Sequence, residues 1–120
     1  MLVSRVTREK KFVPLDSIVD EVKAMLDQVH SELVERAERN LAEKTFIAHN
    51  HEEFLDIAKN HPGYIKAMWC GDSACEDTLK DETGGVKSRC IPFGDHEHPS
   101  DVCACCGRPA KHLVVWGRQY

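Results

Sequence analysis

No apolar run in this sequence approaches the roughly 20 residues that a membrane-spanning helix needs. The first residues, Met1 to Pro14, have no apolar core followed by small residues, so they are not expected to be a secretory signal. Repeats and low-complexity tracts are absent as well. So are a glycine-rich phosphate loop, a nucleophile–base–orienter set and a pair of carboxylates suited to acid–base work. These absences exclude a membrane protein and leave no candidate catalytic residue. They point to a cytoplasmic chain that makes no membrane contact. Its six cysteines are then expected to stay reduced, and they do not form an obvious disulfide framework.

What is present is 120 residues, 30% charged and 42% hydrophobic, a balance suited to one ordinary domain or two small lobes. The net charge of −4 argues against nucleic-acid binding over the whole surface. The charge is uneven, however. The start carries Arg5, Arg8, Lys10 and Lys11 against Glu9 alone, and the end carries Arg108, Lys111 and Arg118 with no acid. Phosphate could be met at either end, while the acidic middle would repel it. For any one of these residues, plain solvated charge is an equal reading.

Residues 2–13 read as a short hairpin in which Val3 and Val6 flank a charged turn and Phe12–Val13 close it. From Leu15 the period changes. Leu15, Ile18, Val22, Met25, Val29, Leu33, Ala37 and Leu41 recur every three or four residues, one face of a long amphipathic helix with Pro14 in its first turn. Glu32–Arg36 and Glu35–Arg39 are spaced for ion pairs on its wet side. At 1.5 Å per residue such a helix runs roughly 40 Å, which suggests a connector between two bodies. Asn50 with Glu53 predicts a second helix start that buries Phe54, Ile57 and Ala58 and ends at His61-Pro62-Gly63. Tyr64 to Trp69 is a strand. Ser73 and Glu76 form an S-x-x-E capping box for a helix over 74–82, stopped by Gly84-Gly85. Val86 to Ile91 and Ala110 to Trp116 are further strands, with a polar loop over 92–102. The fold class is α+β: a long amphipathic helix followed by a small mixed α/β zinc-binding domain.

The zinc follows from the cysteines. Cys70-x4-Cys75 sits where a strand turns into a helix. Cys103 and Cys106, followed by Gly107, sit in a tight turn before a strand. Two short pairs separated by a folded segment are the layout of a four-thiolate zinc site. A two-residue gap lets the backbone curl until both sulfurs point at one metal, and Gly107 lets that curl tighten. Cys105 is the odd residue of the CACC run, and Cys90 reads as a small buried hydrophobe in a strand. His96 and His98 are alternative ligands, but four thiolates already complete the shell. His30, His49, His51, His61 and His112 are scattered and carry no assigned role. Four cysteines leave no open position for a catalytic water, so the zinc is structural. A disulfide pairing, a dithiol redox protein and a stand-alone zinc-ribbon adaptor for protein or RNA remain as alternatives.

The stretches FVPLDSIVDEVKAML, WCGDSACEDTLKDETGG, SRCIPF and CACCGRPAKHLVVWGRQY resemble, in order, the closing segments of prolyl-tRNA synthetases of the archaeal and eukaryotic type. The resemblance covers nearly all of the chain, and WCGD-x-x-CE with the terminal G-R-x-Y is its most specific part. It implies a class II ligase that uses ATP and magnesium to activate proline and transfers it to its tRNA. Such an enzyme is cytoplasmic and homodimeric, with a catalytic domain, then an anticodon-binding domain, then a zinc domain. Residues 1–44 would then be the end of the anticodon-binding domain, a hairpin plus the connecting helix, and residues 45–120 the zinc domain. Cys70, Cys75, Cys103 and Cys106 fall on the zinc-ligand positions. Tyr120 falls on a C-terminal tyrosine whose carboxylate reaches toward the active site of the catalytic domain. Two departures stand out. Cys105 replaces a more usual apolar residue, and the class II catalytic motifs and most of the anticodon domain are missing. The chain on its own is therefore expected to be inactive. The tRNA for proline and the other domains of the same polypeptide are the implied partners, with Arg5, Arg8, Lys10 and Lys11 as candidate tRNA contacts.

Overall fold

The computed structural model describes residues 1–119. Two compact units divide between Ala42 and Glu43. In the first, β1 (Leu2–Val3) pairs antiparallel with β2 (Lys10–Lys11), Leu2 opposite Lys11. The turn between them winds around Ser4, which is buried. Its Oγ accepts from the amides of Val6 and Thr7, and its own amide donates to the Glu9 carbonyl at 2.9 Å. The hairpin is thus shorter than its sequence suggests. Val6 lies inside the turn, and Phe12 lies beyond the pairing with 84% exposure. The self-satisfied serine turn takes up the residues that a longer ladder would need.

A one-turn 3-10 helix, Leu15–Ser17, leads into α1 (Ile18–Glu43), 26 residues and about 39 Å long at 1.5 Å per residue. Pro14 stands just before this turn, with extended backbone. No residue of α1 is buried. Among the described residues neither Glu32–Arg36 nor Glu35–Arg39 closes into an ion pair, and Glu32 instead accepts from Gln28 at 2.7 Å. No described helix is long and apolar enough to cross a membrane.

The second unit is a four-stranded mixed sheet in the order β3-β4-β6-β5. It begins with β3 (Thr45–Ala48), an element the sequence reading missed. Next comes α2 (His51–Asn60), and the chain returns as β4 (Tyr64–Trp69), parallel to β3. The crossover is short and needs a close approach. A Cβ on Gly63 would stand 2.2 Å from the Lys44 carbonyl oxygen, which accepts from the Tyr64 amide at 2.8 Å. Asn50 caps α2 by accepting from the Glu53 amide at 2.9 Å, and Glu53 reaches back to the His49 amide.

After β4 come α3 (Ser73–Thr83), β5 (Val86–Cys90) and β6 (His112–Arg118), the last antiparallel to both β4 and β5. Phe54 of α2 and Leu79 of α3 pack with Ile65, Ala67, Val86, Val114 and Trp116 of the sheet. Phe54 meets Trp116 edge-on with ring centroids 5.6 Å apart. Burying each of these large side chains is worth about 1.5–3 kcal/mol, so this single-sided core carries the unit.

Two expectations fail here for local reasons. The N-cap of α3 is Asp72, whose carboxylate accepts from the Ala74 amide at 3.0 Å, and Ser73 is already helical. Glu76 is drawn instead to β5, where it accepts from the Ser88 amide at 3.1 Å and from its hydroxyl at 2.5 Å. Cys90 is exposed, not buried. A bulge between Ser88 and Cys90 slips the register by one, so Cys90 stands opposite Val115 rather than the buried Val114. The extra residue, Arg89, turns its guanidinium onto the Gly117 carbonyl at 3.0 and 2.7 Å. Gly117 itself is not a loose hinge: it sits within β6, and a Cβ there would come 3.1 Å from the Tyr64 ring.

Candidate metal centre

The site is made where β4 stops and the 103–106 turn comes alongside. Cys70 follows the last residue of β4, and Gly71, at φ +93°, swings the chain toward α3. Cys75 lies in the first turn of that helix, and its amide donates to the Asp72 carbonyl at 3.1 Å. The Trp69 indole N–H donates to the same carbonyl at 3.1 Å, which fixes the entry of the loop.

The second turn is closed by the Cys103 amide donating to the Arg108 carbonyl at 2.8 Å and the Gly107 amide donating to the Cys103 carbonyl at 3.0 Å. Gly107, expected from the sequence to let the turn tighten, does so with a left-handed backbone at φ +68°. Two backbone bonds stitch this turn to β4: the Ala104 amide to Met68 at 2.9 Å, and the Lys111 amide to Trp69 at 2.8 Å.

As a result the sulfurs of Cys70, Cys75, Cys103 and Cys106 all lie within 4.8 Å of one another. Cys70 Sγ is 3.7 Å from Cys75 Sγ and 3.8 Å from Cys106 Sγ. A tetrahedron with metal–sulfur bonds of about 2.3 Å has edges of about 3.8 Å, which these two separations match, and the four thiols could hold a metal ion. Both separations are far from the roughly 2.05 Å of a disulfide. Three of the four cysteines are buried, and Cys106 is exposed. Burial pushes the Cys75 thiol well above its ordinary range, with sulfur neighbours adding to the effect. The Arg108 guanidinium beside Cys106 draws that thiol down to about 6.

Sequence reasoning placed Arg108 only among the basic residues that could meet phosphate and missed its position at the thiols. Its Nε stands 3.2 Å from Cys106 Sγ, and its Nη2 donates to Asp72 at 2.7 Å. That bond, with help from the Ala74 amide, holds the Asp72 carboxyl below its usual range. His51 was overlooked too. It faces the Ala104 carbonyl at 3.1 Å through Nδ1 and Glu82 at 3.0 Å through Nε2, linking α2, α3 and the second cysteine turn.

The remaining expectations separate cleanly. Cys105 is not among the four clustered sulfurs; it is half-buried against the core, and burial raises its thiol. His96 and His98 lie outside the thiol cluster, and His96 contacts the Phe93 carbonyl at 2.6 Å. Arg5 and Arg8 belong to the β1–β2 turn and Lys10 to β2. Lys11 is already engaged by Glu21 at 2.5 Å. Tyr120 lies outside the described residues.

The family model for the C-terminal portion of prolyl-tRNA synthetase matches residues 51–120. The chain belongs to the prolyl-tRNA synthetase family. It is 52% identical over 120 residues to the proline–tRNA ligase of Clostridium botulinum strain Okra and 48% identical to that of Clostridium novyi strain NT. In each case all of this chain is matched, but only 25% of the relative. A crystal structure of prolyl-tRNA synthetase from Cryptosporidium parvum, complexed with halofuginone and AMPPNP, superposes with a TM-score of 0.85 at 25% identity. It covers 98% of this chain and 25% of that one. The chain thus spans about a quarter of the length of the relatives it matches, and the match is to their C-terminal portion.

Proposed function

We propose that this chain is the structural, zinc-bearing end of a proline–tRNA ligase, and that Cys70, Cys75, Cys103 and Cys106 hold one zinc. The observation that carries the reading is the closure of four thiols, from two turns more than 25 residues apart in sequence, to within 4.8 Å. Bound zinc supplies a tetrahedral cross-link and leaves no open position for a water. The four-thiol shell also disfavours a dithiol redox role, because Cys103 and Cys106 share their sulfur environment with Cys70 and Cys75.

In this reading residues 1–44 close an anticodon-binding domain and residues 45–120 are the zinc domain. The division of compact units between Ala42 and Glu43 supports the boundary. ATP, magnesium, proline and the acceptor end of the tRNA are bound by the segments that this chain lacks. The longer protein works in the cytoplasm as a homodimer, with its catalytic and anticodon-binding domains as partners of this chain. Arg5, Arg8 and Lys10 meet tRNA phosphates, with Lys11 joining them only by leaving Glu21, and Tyr120 docks by its carboxylate toward the catalytic domain. A buried carboxylate needs a cationic or hydrogen-bonding partner, which that domain would provide.

Proline-dependent exchange of pyrophosphate into ATP tests the assignment. The longer protein is expected to catalyse it and this chain alone is not; exchange above background by the chain alone would refute the structural role. Deleting Arg118–Tyr120 from the longer protein is expected to lower tRNA charging while zinc content stays intact. Unchanged charging would show that the tail has no part in catalysis.

A further inference from the structure

The two cysteine turns are built alike. Cys70-Gly71-Asp72 and Cys106-Gly107-Arg108 each place a left-handed glycine directly after a sulfur, at φ +93° and φ +68°. In each, the residue after the glycine is charged. The two side chains have opposite sign, and they meet: Arg108 Nη2 is 2.7 Å from Asp72 Oδ2. The same guanidinium spans the sulfur cluster, with Nε 3.2 Å from Cys106 Sγ and Nη2 3.9 Å from Cys75 Sγ and 4.0 Å from Cys70 Sγ.

We infer that Arg108, held by Asp72, is a positioning residue for the metal centre that governs how long the metal is retained. The inference rests on the metal reading above. Four thiolates around a divalent zinc leave a doubly negative centre, and three of these cysteines are buried. Buried negative charge requires a cation or hydrogen-bond donors close by. Arg108 is a cation with nitrogens within 4 Å of three of these sulfurs.

The position of Arg108 matters as much as its charge. Cys106 is the exposed member of the set, hence the sulfur that solvent, protons or a chelator reach first. Arg108 donates to that sulfur. An exposed ion pair by itself contributes little to stability, and both side chains of this pair are largely exposed. Its effect therefore lies in aiming the guanidinium at sulfur rather than in the Arg108–Asp72 attraction. Groups that hydrogen-bond to metal ligands typically change metal affinity by about 10–100-fold when removed. Lysine has one compact ammonium in place of the planar fork, so it can meet Cys106 or Asp72 but does not reproduce both contacts.

The test uses zinc-loaded protein and the rate of metal transfer to an excess of a colorimetric chelator. Arg108→Met is expected to release zinc about 10–100-fold faster than the unmodified chain. Arg108→Lys should fall between the two. Asp72→Asn should shift in the same direction by less, since asparagine still caps α3. A purely structural role for Arg108 would not change the ligand field. The cobalt-substituted protein therefore provides a second readout: its sulfur-to-cobalt charge-transfer band should move in Arg108→Met and partly recover in Arg108→Lys. Should Arg108→Met fail to fold, Arg108→Lys and Asp72→Asn decide the matter. Release rates and cobalt spectra indifferent to all the Arg108 and Asp72 substitutions obtained would overturn the inference while leaving the metal site standing. An unmodified chain that takes up no metal would overturn both.

Discussion

Stripping the metal should loosen the second unit far more than the loss of one ordinary contact would. Structural zinc sites of this kind contribute about 10–16 kcal/mol of apparent binding free energy at neutral pH. A lobe of about 80 residues, at roughly 0.05–0.15 kcal/mol per residue, has a total stability of about 4–12 kcal/mol. The metal contribution is therefore as large as the stability of the whole unit. Its loss should be felt first where backbone order depends on the thiols. The 102–110 segment has one isolated bridge, Val102 with Pro109, and is tied to β4 by the Ala104–Met68 and Lys111–Trp69 bonds. Without a cross-link the thiols are free to separate, and only those two bonds, the His51 contact and the packing of Ala104 hold that turn against β4. Hydrogen exchange on zinc-loaded and chelated protein reads this directly. The amides of Ala104, Lys111 and Gly107 should lose protection on chelation before those of β6 facing β4, such as Val114. Protection at Ala104 and Lys111 that survives proven metal removal would refute the reasoning, because the turn would then be held by packing alone.

Three further outcomes follow from the same structure. Phe54→Ala empties the space beside Trp116 and should cost about 3–5 kcal/mol by urea denaturation; a loss under about 1 kcal/mol would mean that α2 does not seat on the sheet as described. Gly63→Ala sets a methyl against the Lys44 carbonyl oxygen and should cost about 2–3 kcal/mol, while Gly84→Ala, which meets no atom within 4 Å, pays only for its left-handed backbone and serves as the comparison. If Arg5, Arg8 and Lys10 contact three phosphates, tRNA binding should fall with salt at a log–log slope of about −2 to −3; replacing all three with alanine should flatten it, and an unchanged slope would assign the contacts elsewhere.

Much of the second unit is legible in the sequence because its signals are local. Asn50, the His61-Pro62-Gly63 break, the Gly84-Gly85 stop and the apolar run from Tyr64 to Trp69 each act within a few residues. The clustering of the four sulfurs is legible because thiols that close on one point must come in short pairs along the chain. What escaped depends on partners distant in sequence. Thr45–Ala48 is only four residues long and becomes a strand by pairing with β4. Glu76 leaves its capping role for Ser88, twelve residues on, while Asp72 caps Ala74 through one carboxylate oxygen and meets the distant Arg108 through the other. Cys90 is turned outward by a bulge that strand alternation alone does not reveal. Arg108 carried no sequence signal beyond a cation two residues after a cysteine, yet the mirrored Cys-Gly-Asp and Cys-Gly-Arg triplets were there to be read.

The most direct test of the account is zinc-edge X-ray absorption on the purified chain with its metal, beside the Cys105→Ser and Cys106→Ser variants. The account predicts one zinc per chain with four sulfur neighbours at about 2.3 Å, unchanged in Cys105→Ser. In Cys106→Ser the zinc should be lost or bound by three sulfurs. Nitrogen or oxygen neighbours in the unmodified chain, or a four-sulfur shell that survives in Cys106→Ser and fails in Cys105→Ser, would contradict it.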